Sequence, residues 1–261
     1  MVARRRAPLP AVRAGQSAPA ATPARSGRLT RFAVNLAGAA GAAFFAVASF
    51  QFYLQTHSLI GAGFCVEQAW FVVAFLVRRP AQAVTRRSAD WLLTVGGSFG
   101  GTGFRPAGLH PAWGLWSGLA LQTAGLIIGL ASLLALGRSF GVVPADRGLV
   151  TWGPYAVVRH PIYSSYLLVQ CGYLLQSLSW RNALVLACTA GCNIGRALAE
   201  ERLLTASAVP AAPAGRPPGR PAPVPAAIRP AARTADGGQA WAGDYLSYRE
   251  RVRWRLAPGL W

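Results

Sequence analysis

Lysine is absent from this 261-residue chain: all 26 basic residues are arginine. Acidic residues number only 8, and charged residues of both signs make up 13% of the sequence. Soluble globular chains carry roughly 25%, which excludes an ordinary soluble domain. Cysteine is sparse, with 4 residues, too few for a disulfide-built scaffold at this length. With 53% hydrophobic residues, the chain is too apolar to be disordered throughout. What remains is an integral membrane protein, with a mean hydropathy of +0.32. The all-arginine basicity, together with abundant Ala, Gly and Pro, reads as the codon bias of a GC-rich, bacterial genome.

A helix crosses a bilayer with about 20 mostly apolar residues. Residues 33–56 meet this with no charge, and 59–77 meet it apart from Glu67. Residues 91–104 are apolar but short and carry five glycines. Further spans are predicted at 113–136, at 161–178, and at 182–199 running on to 204. The expected fold is therefore all-α, with about six transmembrane helices and a re-entrant hairpin as the alternative for the third. Cytoplasmic loops collect arginine. Placing both ends inside puts 23 of the 26 arginines on that side, with Arg105 and Arg181 outside and Arg196 within the last helix. Five crossings would strand the arginine-rich C-terminal part outside. A net charge of +18 could serve nucleic acid, but the arginines flank apolar runs, so anionic lipid head groups are the expected partner and nucleic acid is not. The expected location is a bacterial inner membrane.

Residues 1–31 are Ala, Pro and Arg without an acid and are expected to be disordered. The apolar run after Arg31 is longer than a signal-peptide core and reads as a retained anchor. Residues 206–240 form a second Pro/Ala/Arg-rich stretch, read as a linker. In the closing segment, 241–261, Trp241, Tyr245, Tyr248, Val252 and Leu256 fall at helical spacing among arginines. That pattern predicts an amphipathic helix lying on the inner membrane face, and the segment is expected to complete the site formed by the polar clusters.

Two polar clusters could carry chemistry. The first is the loop from Leu136 to Tyr163, which holds Asp146, Arg147, Gly148, Leu149, Val150, Tyr155, Arg159, His160, Pro161, Ile162 and Tyr163. Pro161 suits the first turn of a helix, so His160 is expected at or beside its N-cap, where backbone N–H groups favour anions. The alternative is a snorkelling Arg-His pair at the interface. The second cluster is Asn193, Arg196, Glu200 and Glu201 at the end of the last span. Arg196 and Glu200 share a helix face, while Glu201 points about 100° away. A structural ion pair is the alternative here. Both clusters lie at the inner ends of neighbouring spans, so they can meet. Arginine, histidine, carboxylates and aromatic rings together match a zwitterionic ligand with a ring system.

The string Gly153-Pro-Tyr-Ala-Val-Val-Arg-His-Pro-Ile-Tyr163, the pair Glu200-Glu201, and the closing Tyr245-x-x-Tyr248-Arg-x-Arg-Val252…Pro258 resemble the isoprenylcysteine carboxyl methyltransferase family and its phospholipid methyltransferase relatives. The resemblance covers 136–204 and 244–261; the stretch 206–240 departs from it as an insertion. It implies S-adenosylmethionine as cofactor. It places the cofactor contacts on Arg147, Gly148, Leu149, Val150, Tyr155, Arg159, His160, Pro161, Ile162 and Tyr163, with Glu200 at the ammonium group. It turns Arg196 toward a lipophilic substrate bearing a carboxylate, amine or thiol. For an amine or thiol, His160 and Glu201 are the expected proton acceptors.

Two other functions fit the composition. One is a membrane reductase similar to sterol reductases, which would take NADPH. The other is a carrier or scaffold with Glu67 as a relay. The alternative for Glu67 is a protonated hydrogen-bonding group within the bundle. Cys188 and Cys192, one turn apart, and Cys171 have no histidine near them and read as packing residues, so no metal is expected. His57 and His110 fall in outer loops without an assigned role.

Overall fold

The structure, a computed structural model, describes residues 27–106, 111–208 and 245–259. Six helices account for most of it: α1 (Arg28–Thr56), α2 (Leu59–Val77), α3 (Ser88–Phe99), α4 (Ala112–Leu136), α5 (Pro161–Gln176) and α6 (Trp180–Ala208). A short α7 (Tyr245–Arg251) follows, and two two-residue strands, β1 (Ala83–Val84) and β2 (Ala145–Asp146), pair antiparallel. The predicted spans coincide with the helices to within a few residues at most ends.

Local chemistry sets several of these ends. The Ser58 hydroxyl caps α2 by accepting from the Gly61 N–H at 3.0 Å. Pro161 opens α5 with His160 at its N-cap, as the sequence predicts. The third span is one continuous rod and not a hairpin. After Phe99, its glycines tighten the helix into a 3-10 turn, Gly100–Gly103.

Among the described residues, three helices are long and apolar enough to cross a membrane: Leu29–Thr56, Leu59–Val77 and Ala112–Ser139. Phe44, Leu92, Trp116 and Trp180 stand 71–81% exposed on the helices, where lipid tails replace water as the solvent. Helices α4 and α5 approach until their backbones nearly touch. A Cβ added at Gly118 would lie 2.5 Å from the Gly172 carbonyl oxygen, and one at Gly172 would lie 2.5 Å from that of Gly118. Small residues permit this approach between membrane helices, where dispersion contacts replace the hydrophobic effect.

The inner loops are pinned to one another. The Arg79 N–H donates to the Arg138 carbonyl at 2.6 Å, and β1 holds β2 in the register Ala83 to Asp146. Buried Asp90 at the start of α3 accepts from Thr85 and pairs with Arg202 of α6 at 3.1 Å.

The C-terminal segment departs from the expected membrane-surface helix. Only Tyr245–Arg251 is helical, and Val252 to Leu256 run on without helix. Tyr245, Tyr248, Val252 and Leu256 are all buried in the protein. The apolar stripe packs inward: its tyrosines line the cavity described below, and with Val252 they lie beside Leu149 and Leu204. Trp241, residues 1–26 and nearly all of 206–240 lie outside the described residues.

Candidate active site

The turn before α5 holds the site. Arg159 and His160 donate their backbone N–H groups to the carbonyls of Trp254 and Arg255, both at 2.9 Å. The Tyr248 hydroxyl donates to the Tyr155 carbonyl at 2.8 Å, and the Ser164 hydroxyl donates to the Leu256 carbonyl. The chain's last described segment is thereby stitched to the turn from both sides.

Helix α6 brings two carboxylates to the same turn. His160 Nδ1 lies 3.6 Å from Glu200 Oε2, and Nε2 lies 3.3 Å from Glu201 Oε1. Both ring nitrogens thus face acceptors, which only the imidazolium can satisfy by donating twice. Burial pushes the imidazole pKa down, but the two carboxylates outweigh burial and raise it above the ordinary value. Glu201 is further bound by Arg159 at 2.8 Å and by Arg255 Nε at 3.1 Å. Glu200 accepts from the Tyr163 hydroxyl at 2.5 Å, and the Tyr163 ring stacks on His160 with centroids 5.7 Å apart.

Arg196 lies one turn before Glu200. Its guanidinium sits 4.9 Å over the Tyr163 ring, and Nη2 donates to the Val142 carbonyl at 2.7 Å. A cavity of about 770 Å³ opens beside these groups. Arg147, Gly148, Leu149, Val150, Tyr155, Arg159, His160, Ile162, Tyr163, Arg196 and Glu200 all line it. Of the residues in the two polar clusters, Asp146, Pro161, Asn193 and Glu201 do not. Pro161 is buried as the first residue of α5, and Glu201 stands behind His160 in the ionic cluster.

His160 and Glu201, the expected proton acceptors for an amine or thiol, are both engaged in this cluster: the imidazole faces two carboxylates, and Glu201 meets Arg159, His160 and Arg255 away from the cavity.

Arg147 reaches the cavity through a tight passage. A Cβ on Gly141 would sit 2.2 Å from Arg147 Nη1, so the glycine leaves the space in which the guanidinium now lies. The next residue, Gly148, adopts φ +94° and donates its N–H to Asp146 Oδ1 at 3.1 Å. Arg147 Nε is buried without a hydrogen-bond partner. Burial, and then the neighbouring Arg78 cation, push the Arg147 pKa down to about 10 against the opposing pull of Glu200. An anion in the cavity would complete its hydrogen bonds.

The sequence reading missed the opposite wall. Phe45 of α1, Phe64 and Phe71 of α2, and Phe99 and Phe104 around the α3 turn line the same cavity, as does Glu67. Phenylalanine in an apolar run carries no signal of which face it takes. The small residues Gly38, Gly41 and Ala42 in α1, which also line it, were the legible trace.

Residues 113–207 match the family model described as Phospholipid methyltransferase. The match spans α4 to α6 and bears out the resemblance carried by the Arg159-His160-Pro161 turn and the Glu200-Glu201 pair. This segment is similar to that family, which supports a membrane methyltransferase at that general level. No curated protein matches the chain.

Proposed function

We propose that the protein is an S-adenosylmethionine-dependent methyltransferase that acts on a lipophilic acceptor at the cytoplasmic face of a bacterial inner membrane. The observation that carries this reading is a single cavity with a zwitterion-complementary end and an aromatic end. At the first end stand the Glu200 carboxylate and the unsatisfied Arg147 guanidinium; at the second stand phenylalanines of α1 to α3.

When bound, S-adenosylmethionine supplies an electrophilic methyl group on a sulfonium. Glu200 would hold its ammonium group and Arg147 its carboxylate, each a charge-assisted contact worth more than a neutral hydrogen bond. Tyr155, Tyr163, Ile162 and Leu149 give it rings and apolar surface. His160 fixes Glu200 in place, and the stitched C-terminal segment walls off water. Excluding water and setting the line of attack account for most of the acceleration in such a transfer. The aromatic end lies among the membrane helices, so an acceptor with an apolar chain can enter from the bilayer.

Six crossings with both ends inside accompany this reading, supported by the arginine asymmetry and by α3, α5 and α6 alongside the three helices long and apolar enough to cross. Arginines of the inner loops and tails would then meet anionic head groups.

The test is binding of tritiated S-adenosylmethionine by purified protein, compared with His160→Ala and Glu200→Ala. The wild type should bind and both variants should lose affinity. Absence of wild-type binding, equal binding by all three, or displacement of the label by NADPH in preference to S-adenosylmethionine would reject it.

A further inference from the structure

We propose that the rings of Phe104 and Tyr173 form the floor of the cavity and so limit the length of the apolar chain that the acceptor carries. This rests on the methyltransferase reading and specifies how its second substrate is selected by size. The cavity has two ends. Tyr163, bonded to Glu200, stands at the end proposed for the cofactor, and Tyr173 is the last residue of α5 that lines the cavity. Ten residues of helix separate the two tyrosines, about 15 Å at 1.5 Å per residue. That is half of the ~30 Å hydrocarbon core of a bilayer. An extended chain advances about 1.2 Å per bond, so about twelve carbons span the distance.

The floor is built and held. The Phe104 and Tyr173 rings meet edge to face with centroids 5.1 Å apart. Phe104 follows the 3-10 turn after α3, and both of its backbone groups are engaged. Its N–H donates to the Gly101 carbonyl at 3.2 Å, and its carbonyl accepts from Arg105 Nη1 at 3.0 Å. The next residue is fixed from α6. Asn182, fully buried, accepts the Arg105 N–H at 3.2 Å and donates to the carbonyls of Arg105 and Ser177, both at 2.9 Å. One side-chain amide thereby ties the chain beside Phe104 to the residue that ends α5, the helix of Tyr173. A backbone so anchored does not yield to a longer tail without breaking buried hydrogen bonds.

One turn before Tyr173, the wall leaves room. Among the described residues, a Cβ on Gly101 would meet only Gln170 Nε2, at 3.8 Å, which is ordinary contact. Gly101 and Gln170 both line the cavity. Volume added at position 101 therefore shortens the cavity without disturbing its frame, while volume removed at Phe104 deepens it.

The experiment uses the full-length protein in detergent and tritiated straight-chain primary alcohols from octanol to hexadecanol. Affinities are referred to the free aqueous alcohol across a dialysis membrane, with protein-free micelles subtracted, and S-adenosylmethionine binding is measured in parallel. Each added methylene should tighten wild-type binding about fourfold until the chain fills the cavity near twelve carbons, and the gain should then stop. Gly101→Leu should bring that break in by about two to three carbons, and Phe104→Ala should move it out by a similar number. Octanol and S-adenosylmethionine affinities should hold in both variants. A wild-type affinity that climbs through hexadecanol without a break, a break that stays in place in both variants, or an equal loss at every chain length overturns the proposal. If Phe104→Ala fails to fold, Gly101→Leu and the wild-type break decide. Absence of S-adenosylmethionine binding by the wild type would defeat the methyltransferase reading alone, because the chain-length break is scored separately.

Discussion

Toward α4, helix α5 brings Gly172 so close to Gly118 that a single methyl group on either would strike the other's carbonyl. Toward α6, the same helix and its N-cap bring His160 and Tyr163 against Glu200 and Glu201. The first contact is shape without charge and tolerates no added volume. The second is charge and hydrogen bonding, and tolerates no lost partner. One helix thus divides into a seam that fixes the bundle and a face that builds the site. Substitutions on the two sides should fail in different ways.

The largest effect is expected at Glu201, where Arg159, His160 and Arg255 converge on one buried carboxylate. Glu201→Ala leaves these cations without compensation, a change that costs about 3–5 kcal/mol for a buried pair. Thermal unfolding should drop sharply, and limited proteolysis should release the segment that carries Tyr248 and Leu256. A variant that unfolds like the wild type would mean the ionic cluster does not hold the C-terminal segment.

Glu200 sharpens the contrast because it faces the cavity while Glu201 does not. Glu200→Gln keeps a hydrogen-bonding group for Tyr163 but removes the charge offered to the cofactor. Cofactor affinity should fall about tenfold to hundredfold, with a smaller loss of stability than at Glu201. Equilibrium binding and melting on the same preparation separate the two. A larger melting loss than at Glu201 would reverse the assignment.

The seam gives the converse. Gly172→Ala forces the backbones of α4 and α5 apart, and overpacking of this kind costs about 1–3 kcal/mol. The melting temperature should fall while the remaining folded protein binds cofactor with unchanged affinity. If affinity changes as much as stability does, the seam and the site are not separable.

Much of the bundle and the core of the site were legible because their signals are local. Apolar runs gave the spans, Pro161 gave the start of α5, and the i, i+4 spacing of Arg196 and Glu200 gave a shared face. The destination of a side chain was less legible. Tyr245 and Tyr248 carry the same spacing whether their stripe meets lipid or protein, and only the pairing of Tyr248 with the Tyr155 carbonyl decides it. Asp90 gave no signal because its partner Arg202 lies 112 positions away. His160 and Glu201 make a related point. Residue type shows that a group can take a proton, while only its neighbours show whether it is free to do so.

The smallest effect tests that last point through pH. His160 has a folded-state pKa above its ordinary value near 6.5 because the Glu200 and Glu201 carboxylates outweigh its burial. A raised folded-state pKa makes the imidazolium a stabilising group. Its contribution is fully present below the unfolded value and is lost as pH rises through the folded one. One proton limits the slope to about 1.4 kcal/mol per pH unit. Arg147 at about 10 and Tyr245 at about 12 titrate higher, and the comparison with His160→Gln isolates the histidine's share of the change above pH 6.5. The wild-type melting temperature should therefore fall from pH 6.5 to pH 9 more steeply than that of His160→Gln, which has no proton to lose there. Parallel curves would mean that the ring is neutral between the two carboxylates, and His160 would again be available to accept a proton.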